Sequence, residues 1–181
     1  KGLHPIKDFW VISGILADYI QGFFFLIFGF NWNAYVFHAS FFNVLISLFF
    51  FYFLNQFNNN VLINFLLAIS VATLCYPVVG TPFPYQHSFV LSIVSLLFFY
   101  LAVSKEKKIF WVLLPIIMLF SFLSMQLPSG IINILIIFFS FIYFVRFNQS
   151  YLKHFILGIF FSLLILLIYF LMNKVSFDEF L

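Results

Sequence analysis

From Ala34 to Leu54 the chain carries no Asp, Glu, Lys or Arg, and comparable apolar runs recur along most of its length. A run of roughly 20 apolar residues is what an α-helix needs to cross about 30 Å of hydrocarbon, where backbone N–H and C=O groups must be paired within the segment or with neighbouring strands. That requirement leaves helices and closed barrels. Barrel strands alternate apolar and polar residues, and these runs do not. Only 7% of the residues are charged, against about 25% in soluble domains. The expected fold is all-α: a polytopic transmembrane helix bundle of about six spans plus an N-terminal interfacial helix, with 1–181 as a single transmembrane domain.

In order, KGLHPIKDFW at Lys1 to Trp10 is polar and broken by Pro5, so it lies outside the hydrocarbon. Val11 to Phe30 is apolar but holds Asp18 and Gln21, along with Gly14, Gly22 and Gly29. An aspartate at a helix centre costs about 2.5–3.5 kcal/mol on insertion scales, which favours a helix in the interface over a span. Residues 1–30 are thus expected to be an external loop and interfacial helix. The alternative, a crossing by Val11 to Phe30, puts Asp8 on the opposite face. Transmembrane helices fill 34–172, with spans expected at 34–54, 61–79, 89–103, 109–126, 131–145 and 154–172. Lys105, Glu106, Lys107 and Lys108 form the densest charge and are cytoplasmic by the positive-inside rule. Alternation then brings Arg146, Lys153 and His154 to the same side, as that rule wants. Outside fall Tyr76 to Ser88, Leu127 to Gly130, and the end with Lys174, Asp178 and Glu179. Starting at Lys1 without a methionine and stopping just after two acidic residues, the sequence reads as a fragment.

The 33 phenylalanines follow from AT-rich coding, which also favours Ile, Asn and Lys. Cys75 is the single cysteine, so no intrachain disulfide forms. A net charge of +3 is topology information and excludes a nucleic-acid footprint. Asn148-Gln149-Ser150 matches a glycosylation acceptor by chance, since it sits in a cytoplasmic loop.

Histidines, carboxylates and prolines concentrate on the outer side. An enzyme that moves a group from a lipid-linked phosphate needs a carboxylate base, donors for the departing phosphate and an apolar groove for the lipid tail. Asp8 is a candidate base with His4 and Lys7 as phosphate partners; the plainer reading makes it a surface residue or helix cap. Asp18 is the second carboxylate candidate, because an ionisable group within an apolar run is a functional hypothesis; otherwise it shares a polar helix face with Gln21. Tyr85, Gln86, His87 and Gln126 are candidates for contact with sugar or phosphate. A lone His in a polar loop is more often solvated, and no second ligand lies at metal spacing from His87, so no metal site is expected. His38, one turn into a span, pairs with backbone or with Asp18.

At Gly2, Pro5, Asp8 and Phe9 the chain reads G-x-x-P-x-x-D-F. FLIFGFNWNAYVFHASFFNVL follows as apolar helix, Phe-Gly turn and span, and YPVVGTPFPYQHSFVLS, a basic loop and FLSMQLPSG come later. The whole resembles the bacterial GT-C glycosyltransferases of the arabinose-transferase and protein-mannosyltransferase type. The resemblance implies inverting transfer of a sugar from a polyprenyl-phosphate donor to a lipid-linked or cell-envelope acceptor, at the periplasmic face of a bacterial inner membrane. The partners are then membrane lipid and those two substrates, without nucleic acid or a cofactor beyond the donor. It also implies that the principal catalytic carboxylate lies upstream of Lys1 and that Asp8 matches the second acidic position of the first external loop. The chain departs from the pattern where relatives carry an arginine early in the span after the Phe-Gly turn: here stand Phe37 and His38. Competing readings are a transporter or flippase of lipid-linked or small anionic substrates, using Asn64, Ser121, Ser124 and Asn133, and a non-catalytic membrane scaffold.

Overall fold

The computed structural model describes residues 8, 14–57, 59–77 and 80–174. Among them are seven α-helices, one short 3₁₀ turn and no strand: α1 (Leu16–Phe28), α2 (Trp32–Leu54), α3 (Val61–Cys75), α4 (Pro84–Lys105), α5 (Lys108–Ser124), α6 (Gln126–Arg146), the turn Gln149–Tyr151, and α7 (Leu152–Asn173). Four helices, α2, α4, α6 and the stretch Gln149–Asn173 that contains α7, are long and apolar enough to cross a membrane. α3 and α5 are apolar but have 15 and 17 residues, giving lengths of about 22 and 26 Å. α1 has 13 residues and reaches only about 20 Å, well short of the hydrocarbon thickness.

The chain forms two compact units, Ala17–His87 and, without the residues outside the description, Lys1–Leu16 with Ser88–Leu181. In the first, α1 buries Ala17, Gln21 and Phe24, which recur at the spacing of one helix face. Gly29, at φ 81°, lets the chain turn out of α1. Asn31 then caps α2, its side chain accepting from Ala34 N at 2.8 Å and donating to Phe28 O at 2.7 Å. Replacing Asn31 with alanine is expected to lower stability by about 1 kcal/mol in a reversible unfolding assay. α2 and α3 pair through small residues, with Ala39 and Ala68 buried. Asn43 Nδ2 crosses to Ala72 O at 2.7 Å, which satisfies a polar group that lipid cannot.

The second unit is built on α5 against α7. Trp111 and Leu114 are wholly buried, with Met118, Ile136, Phe144, Tyr151 and Phe155 around them. The Trp111 ring stacks on Tyr143 at 5.3 Å. Asn133 ties α6 to α5 by donating to Met118 O at 3.0 Å. Gly14 N donates to Ser124 O at 3.1 Å at the end of α5.

Two sequence expectations change. The loop expected over Tyr76 to Ser88 stops at Phe83, because Pro84 opens α4; a proline in the first helical turn gives up an N–H that has no partner there anyway. The loop expected over Leu127 to Gly130 is absorbed into α6, which begins at Gln126 one residue after α5 ends. Only Leu127, at φ −115° and ψ 132°, keeps an extended backbone there.

Candidate functional site

Across the 71 residues of the first unit the only Asp, Glu, His, Lys or Arg side chains are Asp18, His38 and His87. The fold brings two of the three together. Gln21 comes from the buried face of α1, His38 from the second turn of α2, and His87 from the first turn of α4. Gln21 Oε1 lies 2.8 Å from His38 Nδ1. His38 Nε2 lies 3.0 Å from His87 Nε2. His87 Nδ1 reaches the carbonyl oxygen of Phe83 at 2.9 Å. His38 is 0% and His87 1% exposed. Phe24 stacks on the His38 ring at 4.9 Å and 17°, and Phe42 covers His87 at 4.5 Å.

The order of donors along this row follows from chemistry. A carbonyl oxygen only accepts, so His87 Nδ1 carries hydrogen and donates to Phe83. With both rings neutral, His87 Nε2 then accepts, His38 donates from Nε2, and His38 Nδ1 needs a donor of its own. Gln21 can supply one only from its amide nitrogen. That nitrogen is the buried atom left without a partner, and a half-turn of the amide carries it to His38. The row is thereby complete from Gln21 to Phe83.

This arrangement changes what His87 can do. It is not the solvated loop histidine suggested by its polar neighbours, because both ring nitrogens are engaged inside the protein. Contact with sugar or phosphate requires one of those bonds to open. His38 meets Gln21 rather than Asp18 because Gln21 lies on the buried face of α1 while Asp18 is exposed. The apolar surroundings push the Asp18 carboxyl above its ordinary range. Gln86 Nε2 donates to Cys75 O at 2.6 Å, and its Oε1 is buried without a partner. Tyr85 is exposed.

Of the remaining candidates, Asp8 stands exposed on a turn and Gln126 is exposed at the start of α6, both in the second unit. His4 and Lys7 lie outside the described residues. Among the described residues no group of three or more His, Cys, Asp or Glu could hold a metal ion. The pairing of His38 with His87 was missed in the sequence. Its signal was two histidines in a long stretch whose only other residue among Asp, Glu, Lys and Arg is Asp18.

A second feature lies where α1 turns into α2. A cleft of about 380 Å³ is lined by Phe28, Asn31, Asn33, Ala34 and Phe37. Phe28 and Phe37 give it aromatic surface and Asn33 an amide side chain beside the first turn of α2, while the Asn31 amide is taken up in the cap. Compared with known proteins, the chain matches no family, no curated protein and no solved structure.

Proposed function

We propose that the chain is the membrane part of a glycosyltransferase that moves a sugar from a polyprenyl-phosphate donor to a lipid-linked or cell-envelope acceptor, at the periplasmic face of a bacterial inner membrane. The observation that carries this reading is the cleft at the α1–α2 turn. It falls on FLIFGFNWNAYVF, within one of the segments that carry the family resemblance. An aromatic wall suits an isoprenoid chain, and Asn33 beside a helix start suits a sugar hydroxyl or a phosphate oxygen. Asp8 and Asp18 are the acid-base candidates, and His4, Lys7, Tyr85, Gln86, His87 and Gln126 the substrate-contact candidates.

The test is transfer of labelled sugar from polyprenyl phosphate in membranes holding the full-length protein. Asp8→Asn and Asn33→Ala are each expected to lower the rate about tenfold, or about 1.4 kcal/mol. Wild-type membranes that transfer nothing, or variants that transfer at the wild-type rate, speak against the reading.

A transporter is the second reading, and one observation favours it. The buried row of Gln21, His38 and His87 is a polar element inside an apolar unit, and polar groups at such depth often mark pathways. Uptake into sealed vesicles that is lost in His38→Gln, with no sugar transfer by the wild type, supports this reading over the first.

A further inference from the structure

The ends of α4 and α6 and the starts of α5 and α7 meet at one end of the second unit. Tyr151, 6% exposed, holds them together: its hydroxyl donates to the Glu106 carbonyl at 2.8 Å. This bond joins the corner between α4 and α5 to the short turn that leads into α7. Around it stand Lys105, Lys107, Lys108, Arg146 and Lys153, all exposed, with Glu106 as the one carboxylate among them. Large apolar side chains stand between these cations, and they are exposed too: Ile109, Phe147 and Leu152 at 53%, 74% and 39%.

Neither half of this mixture explains the other. Free phosphate or an acidic peptide matches the cations but leaves Phe147 and Ile109 in water. The boundary of a bilayer takes both, phosphates for the charged ends and acyl chain for the apolar groups, while lysine and arginine stems bridge the two depths. Arg146 adds a planar fork that matches two phosphate oxygens.

We infer that this end of the unit is a docking surface for anionic phospholipid head groups, with Ile109, Phe147 and Leu152 set in the acyl boundary. The inference is independent of whether the protein transfers sugars or transports a solute. It concerns which lipids the folded chain keeps around it.

The purified full chain, placed in nanodiscs of phosphatidylcholine with about one third phosphatidylglycerol, is released in a mass spectrometer and its retained lipids are counted. Phosphatidylglycerol is expected to be retained about tenfold or more over phosphatidylcholine. The preference falls to near parity when Lys105, Lys107, Lys108, Arg146 and Lys153 are all changed to Gln, and persists when the four lysines are changed to Arg. Circular dichroism and the unfolding midpoint in pure phosphatidylcholine check that the Gln variant folds. If its midpoint drops, Arg146→Gln with Lys153→Gln alone is expected to give an intermediate preference. A wild-type preference near one, an unchanged preference in the folded Gln variant, or loss of preference on adding inorganic phosphate or a polyglutamate peptide overturns the inference.

Discussion

Changing Gly158 to leucine is expected to lower the unfolding free energy by about 3 kcal/mol or more, enough to leave little of the α5–α7 contact. A Cβ at this position meets Val112 O at 2.3 Å and the Pro115 ring carbons at 2.9 Å. None of these atoms is the loose end of a side chain. The carbonyl belongs to the α5 backbone and the ring is closed onto it, so relief requires the two helices to separate. Separation uncovers Trp111 and Phe155, which pack in the same core. Alanine at 158 carries only the Cβ and is expected to cost about 1–3 kcal/mol. Gly22 supplies the control, because nothing lies within 4 Å of a Cβ built there, so Gly22→Ala is expected to stay within about 0.5 kcal/mol of the wild type or gain a little helix propensity. Reversible unfolding in detergent and SDS mixtures reads all three. A Gly158→Leu chain that unfolds at the wild-type midpoint shows that α7 does not lie as close to α5 as described.

The second large effect is expected at the histidine pair. Removing the His87 ring leaves the His38 Nε2–H wholly buried with no acceptor and opens a void beneath Phe42, for a combined loss of about 2–4 kcal/mol. His38→Ala leaves the buried His87 Nε2 lone pair without a donor. Because each variant already forfeits the shared bond, the double variant is expected to cost less than the two single losses together, by about 1–3 kcal/mol. The same unfolding assay measures this cycle. Losses that simply add mean that the rings do not bond each other.

Helix positions were largely legible in the sequence because the dominant signal, apolar run length, is local. Polar residues bound these runs, and two of them, Asn31 and Asn60, act as helix caps in the structure. The ends were less legible where a proline has two meanings. Pro84 and Pro128 read as loop residues, yet each sits in the first turns of a helix. Partners across helices were not legible at all. Which face of α1 is buried decides whether His38 meets Gln21 or Asp18; the two lie within one turn of each other and read as one polar face, yet the fold buries Gln21 and exposes Asp18. For the same reason the site candidates chosen by residue type, Tyr85, Gln86 and His87, turned out to differ in kind: one faces out, one bonds to α3, one is sealed in.

The bond between His38 and His87 also sets an order in time. Its partners are 49 residues apart, so at about 5–20 residues per second His38 is made several seconds to as much as about ten seconds before His87. During that interval α2 is completed and α3 is made, while the His38 ring still lacks its acceptor. The row from Gln21 to Phe83 is therefore closed only when the leading turn of α4 arrives, after the three helices before it have been made.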